Sequence, residues 1–167
     1  KEASKTGTTR HLDETDISEA LNLAEKEYGT GRIAESESIC RKILQVDPEN
    51  ATAIHLLGLL AYKAGRNQDA ADFFSQALAL RPDWPHAHSN LGIVRHQQGK
   101  FEDAIACYRK AIDLKHDFAE AYNNLGNALR DFNKPFAMLQ LSGEFRMIKG
   151  DTTELMSREL SQKHQRK

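Results

Sequence analysis

The chain has 167 residues, with 23 Lys and Arg against 24 Asp and Glu and a formal net charge of −1. Such a balance sets up no global field toward nucleic acid or an anionic membrane, so neither is expected as a partner and any partner must be recognised locally. The length suffices to bury a core without disulfides or metals, and Cys40 and Cys107 lie too far apart for a CxxC zinc pair or a dense disulfide framework, which fits a reducing cytoplasm.

Lys1 to Arg10 has no apolar centre and does not read as a signal peptide. Residues 1–15 read as a disordered lead, and a first residue other than Met is compatible with a piece of a longer polypeptide. The longest apolar run, Leu56-Leu57-Gly58-Leu59-Leu60-Ala61, falls far short of the roughly 20 residues that span a bilayer.

From residue 16 onward the chain repeats itself. Leu57-Gly58, Leu91-Gly92 and Leu125-Gly126 recur every 34 residues, with Leu23-Ala24 one step earlier. Gly31, Gly65 and Gly99 keep the same interval, as do Ser36, Ala70 and Ala104, then Cys40, Phe74 and Tyr108, then Pro48 and Pro82. Each unit reads as two helices joined by a tight turn. In the third, His88, Leu91, Gly92 and Arg95 share a face of the first helix, the glycine allowing a neighbour to approach closely, and Ala104, Tyr108, Ala111 and Ile112 form the opposing face of the second. Gly99 supplies the positive φ that ends the first helix, and Pro48 and Pro82 follow the ends of second helices. No strand alternation is visible.

These residues resemble the tetratricopeptide repeat family, whose 34-residue hairpins carry small residues at the eighth, twentieth and twenty-seventh places and proline at the thirty-second. Counted from Ile17, Ala51, Pro85 and Ala119, those places hold Ala24, Ser36, Ile43 and Pro48, then Gly58, Ala70, Ala77 and Pro82, then Gly92, Ala104, Ala111 and His116. The resemblance implies an all-α, right-handed superhelical array of helix-turn-helix hairpins. Residues 16–133 are expected to hold three full repeats and the first helix of a fourth. There Met138 and Ser142 replace the usual small and aromatic residues, so 134–150 reads as a divergent second helix with Asn133 as cap and Pro135 in its first turn. Asp151-Thr152-Thr153-Glu154 resembles a capping box, so 151–167 reads as a C-terminal capping helix and tail. That last helix either closes the array or docks a partner or a second copy of the chain.

The first helices line the concave side of such an array. The residues expected there are Asn22, Glu25 and Tyr28 in the first unit and Thr52, His55, Leu56, Leu59, Tyr62 and Lys63 in the second. The third offers His86, Ser89, Asn90, Ile93, His96 and Gln97, and the fourth Glu120, Asn123, Asn124, Asn127, Arg130 and Asp131. Asn22, Asn90 and Asn124 share the sixth place, with Leu56 interrupting. An amide carries donor and acceptor, so these side chains could pair with the backbone of an extended peptide, or they could simply bond a neighbouring helix. The row is similar to the asparagine ladder of O-linked N-acetylglucosamine transferase arrays, which holds substrate chains. The family's carboxylate clamp for chaperone tails needs basic residues where Leu21, His86 and Asn90 stand, so that mode is disfavoured.

Catalysis is not expected. His86 and His88 diverge on their helix, no acidic or thiol partner stands at ligand spacing, and no cofactor or metal is implied. Tyr28-Gly29-Thr30-Gly31 lacks the strand of a nucleotide fingerprint, and Asn50-Ala51-Thr52 matches a glycosylation acceptor without a secretory signal. Trp84 is read as a hydrophobic staple on the third unit or an exposed anchor at the groove's rim. The function expected is that of an interaction module for a peptide segment. The alternatives are the non-catalytic recognition domain of a larger glycosyltransferase or sulfotransferase, and self-association through the C-terminal end.

Overall fold

A computed structural model of the chain describes the backbone of residues 14–141 and the side chains of residues 16–133. Among the described residues seven helices follow one another: α1 (Glu14–Gly29), α2 (Ile33–Val46), α3 (Ala51–Lys63), α4 (Asn67–Leu80), α5 (Pro85–Gln97), α6 (Phe101–Leu114) and α7 (Ala119–Leu141). No strand occurs among the described residues. The helices pair as the hairpins α1–α2, α3–α4 and α5–α6, and α2 meets α3 as α4 meets α5. The expected all-α repeat array is the fold.

Each hairpin turn is built the same way. Gly31, Gly65 and Gly99 take φ values of 82°, 73° and 73°, the left-handed region where a side chain is strained. The next residue then turns its N–H back five positions: Arg32 to Glu27, Arg66 to Ala61 and Lys100 to Arg95, each at 2.9 Å. These bonds satisfy carbonyls that the helix end would otherwise leave bare. Second helices also end in register, at Val46, Leu80 and Leu114. Proline is not needed for that stop: in the third unit His116 stands in its place, and the Lys115 N–H closes the helix on the Ala111 carbonyl at 3.0 Å.

Small and large residues interlock inside each hairpin. At the eighth and twenty-fourth places stand Gly58 with Phe74 and Gly92 with Tyr108, and a Cβ added to either glycine would lie 2.6 Å from the ring. The first hairpin makes the opposite choice, Ala24 with Cys40, both fully buried. Between hairpins, Cys40 and Ile43 of α2 pack with Leu56, Leu57 and Leu60 of α3. Ala71 and Phe74 of α4 cluster with Val94 of α5, and Ile105 and Tyr108 of α6 with Ala128 of α7. A series of hydrophobic clusters results, several of them bridging one hairpin to the next, as expected when no hairpin can bury its own apolar faces.

The fourth unit departs from the expected boundary. α7 runs from Ala119 to Leu141 without the turn looked for at Asn133, and Pro135 lies inside it instead of opening a new helix. Asn133 occupies the place that Gly31, Gly65 and Gly99 hold elsewhere, so the residue type that breaks the other first helices is missing. The array through Phe132 forms one compact unit, and the segment from Asn133 belongs to a second. The disordered lead expected over 1–15 falls almost entirely outside the described residues. The rest of the divergent second helix, the capping helix and the self-association expected of it lie wholly outside them.

Candidate functional site

The first helices α1, α3, α5 and α7 carry the expected groove residues, and α1, α3 and α5 are successive neighbours. They are tied by a ladder in which the twelfth place of one unit meets the thirteenth of the next, 35 residues on. Lys63 donates from Nζ to the Tyr28 carbonyl at 3.4 Å and lies over the Tyr28 ring at 3.9 Å. Gln97 Nε2 donates to Tyr62 Oη at 2.8 Å. His96 Nε2 meets Asp131 Oδ2 at 3.0 Å. The chemistry changes at every rung, from cation–aromatic to neutral amide to histidine–carboxylate, while the geometry persists. Repeat spacing sets these contacts and residue type only fills them.

A second rung joins the fifth place of one unit to the sixth of the next. Asn90 Nδ2 lies 3.1 Å from His55 Nε2. His55 is buried, 4.3 Å from the Trp84 ring centroid and 5.3 Å from that of Phe74. Burial, with the charges of Arg81 and His86, pushes its pKa down to about 4. The ring is therefore neutral near pH 7, with Nε2 accepting from the amide and the proton on Nδ1. Asn90 is thus held by one N–H, while its carbonyl oxygen and second N–H remain available.

Arg81 stacks its guanidinium 3.5 Å over the Trp84 ring, making a layer of Arg81, Trp84 and His55. The third unit repeats the arrangement: Lys115 sits 5.1 Å over Phe118, and His86 meets that ring edge-on at 4.7 Å. Trp84 is not the exposed anchor that was one of its two expected roles: it is half-buried, stands at the N-cap of α5 and packs back on α3 through His55. The first unit replaces cation and aromatic by Asp47 and Asn50, whose side chains bond at 2.9 Å while Asn50 Oδ1 caps α3 through the Ala53 N–H at 3.0 Å. This feature was missed from sequence, although Arg81/Trp84 and Lys115/Phe118 recur in register.

The expected groove residues divide accordingly. Leu56 is only 4% exposed within the α2–α3 core, and His55 is 9% exposed, so neither presents a free surface. Leu59, Tyr62, Asn90, Ile93, His96, Asn124 and Asn127 are half-buried, and Asn22, Lys63, His86 and Asn123 are exposed. Ile93 packs partly on the cluster around Ala104 and Tyr108. Of the asparagines at the sixth place, Asn90 is bonded to the neighbouring first helix, which was one of the two expected uses of such an amide. Burial raises the Cys40 and Cys107 thiols to about 11, which removes them as nucleophiles near neutral pH. Among the described residues no three His, Cys, Asp or Glu side chains converge on a possible metal position, and no helix is long and apolar enough to cross a membrane.

Stacked two-helix hairpins whose first helices are successive neighbours define a helical-repeat scaffold. The chain belongs to the tetratricopeptide repeat family: a model described as tetratricopeptide repeat matches residues 27–89, and one described as TPR repeat matches residues 94–130. Among solved structures it is similar to an O-GlcNAc transferase of Thermobaculum terrenum, at 35% identity and a TM-score of 0.67 over 73% of this chain. The chain spans only 23% of that enzyme's length. The first TPR domain of Spaghetti (RPAP3) bound to HSP90 peptide SRMEEVD matches 74% of this chain and 98% of its own, with 21% identity and a TM-score of 0.68. The Sgt2 TPR domain from Aspergillus fumigatus matches 86% of this chain and 93% of its own, with 14% identity and a TM-score of 0.69. The last two likenesses speak for the fold alone. Comparison with curated protein sequences gives no match.

Proposed function

We propose that the chain is a protein-interaction module that receives an extended or helical segment of a partner polypeptide along the face formed by α3, α5 and the first part of α7. The observation that supports this reading is Asn90. Its amide is held by the buried, neutral His55 and keeps one donor and one acceptor for a ligand backbone. Asn124 stands one unit further at the same place, with Asn123 and Asn127 beside it and Leu59 and Ile93 supplying half-buried aliphatic surface. Lys63, Tyr62, His86 and His96 border that strip, and Asn22 repeats the amide on α1. Leu56 breaks the amide row, so the grip extends over the third and fourth units more than the second. A surface this short suits micromolar affinity, about −8 kcal/mol.

Peptides selected from a random display library against the intact chain test the proposal. Combining Asn90→Ala with Asn124→Ala is expected to weaken selected peptides of unrelated sequence about tenfold each, because backbone contacts are lost whatever the side chains. Unchanged affinities, with helicity unchanged by circular dichroism, would defeat it.

A second reading is carried by the 35% identity to the O-GlcNAc transferase. In it the array is the substrate-recognition region of a larger, separately catalytic glycosyltransferase or sulfotransferase. Reading the transcript upstream of the codon for Lys1 and beyond that for Lys167 decides this: a transferase domain in frame on either side supports it, and a complete reading frame without one removes it.

A further inference from the structure

We propose that two copies of this chain pair through the outer face of α1 and α2, related by a two-fold axis that crosses α2 between Ser38 and Ile39. Leu23 and Leu57 occupy the same place in consecutive units. Leu57 is 6% exposed because α2 of the preceding hairpin covers it, whereas Leu23 is 46% exposed. Beside Leu23 lies an open depression of about 580 Å³, lined along α2 by Glu35, Ser38, Ile39 and Lys42. Those four stand at i, i+3, i+4 and i+7, a single stripe down one face of the helix. The face therefore has the surface that stacks elsewhere in the array, without a described helix upon it.

Charge order on the stripe selects a second copy as the occupant. Glu35 and Lys42 sit at its two ends, with the small Ser38 and the apolar Ile39 between them. A two-fold axis through the middle makes the two α2 helices antiparallel, about 5 Å of helix separating each charge from the axis. Glu35 of one copy then faces Lys42 of the other, twice by symmetry, and Ser38 and Ile39 meet across the centre. A parallel arrangement would set like charges together. Of the other charges nearby, Arg32 is paired with Glu27, and Arg41 bonds Glu37 at 2.6 Å. Leu23 of each copy adds the apolar area that an association of this kind requires.

Sedimentation equilibrium of the full chain tests the pairing. The wild type is expected to show a concentration-dependent monomer–dimer equilibrium. Glu35→Lys and Lys42→Glu are each expected to raise its dissociation constant at least about tenfold, since two opposite-charge contacts per dimer become like-charge contacts. Mixing the two single variants in equal amounts is expected to restore dimers, because the mixed pair brings opposite charges together at both contacts. Circular dichroism of both variants reports that they are folded. A wild type monomeric up to about millimolar concentration would overturn the proposal, and that is what a helix of another polypeptide or residues 1–13 on this face would produce. Single variants that dimerise like the wild type, or a mixture that stays monomeric, would overturn it as well.

Discussion

Gly92→Ala and Gly126→Ala place the same methyl group at the same repeat position and should move stability in opposite directions. At Gly92 the new Cβ would lie 2.6, 2.9 and 3.0 Å from three atoms of the Tyr108 ring, well inside the roughly 3.5 Å at which carbon atoms rest against each other. Tyr108 is 1% exposed and among the largest fully buried side chains, so its ring has no free direction to yield. Overpacking of this kind costs about 1–3 kcal/mol, while replacing glycine by alanine inside a helix returns about 1 kcal/mol. The net is a loss of about 1 kcal/mol, or about 2–4 °C in melting temperature for a chain of this size. At Gly126 nothing lies within 4 Å of the added atom. There the helix-propensity gain of about 1 kcal/mol stands alone and the variant should be more stable than the parent. Urea unfolding followed by circular dichroism measures both. A Gly92→Ala protein at least as stable as the parent, or a destabilised Gly126→Ala protein, would refute the reasoning that the eighth-place glycine exists to admit an aromatic ring.

His55 makes stability depend on pH. Its pKa is about 4 in the folded chain against 6.5 in the unfolded one, so between these values the unfolded chain binds a proton that the folded chain refuses. The contribution is complete above pH 6.5 and is lost as pH falls toward 4, by up to about 3 kcal/mol. Urea midpoints at pH 7.5 and 4.5 should show this fall reduced in His55→Gln, and an equal fall in both proteins would contradict it. Asn50→Ala removes the side-chain cap of α3 and should cost about 1 kcal/mol in the same assay; a change within error would mean that the cap carries no stability. With both thiols raised from 9.0 to about 11, a thiol-specific reagent near pH 8 should label the native cysteines about 100-fold more slowly than the urea-unfolded ones. Cys107, which is partly exposed, should react before the fully buried Cys40. Native labelling at the unfolded rate would show that burial does not protect them.

The repeat was legible because its causes are local. Glycine at Gly31, Gly65 and Gly99 dictates a turn through backbone sterics alone, and apolar residues at helical spacing dictate which faces must be covered. Those two rules, applied at a fixed interval, determined the class of fold and the places of the hairpin turns. The seventh helix exposed their limit. Pro135 and the cap-like Asn133 suggested a break, yet α7 continues through both. The groove was legible as a set of places but not as an available surface. Leu56 stood out in the row of sixth-place residues as the one aliphatic side chain, but only the packing shows it sunk among Cys40, Ile43 and Leu60 while Asn90 and Asn124 stay half-buried.

What residue order determined by itself is the hairpin and its recurrence, because turn chemistry and helical period act within a few residues of one another. What only the tertiary structure decided is how one hairpin meets the next. The pairing of each twelfth place with the next unit's thirteenth, the seat of neutral His55 beneath Trp84 and against Asn90, and the open face around Leu23 all depend on the stagger between helices 34 residues apart. That stagger is set by the fit of whole packed surfaces, and no local stretch of sequence encodes it.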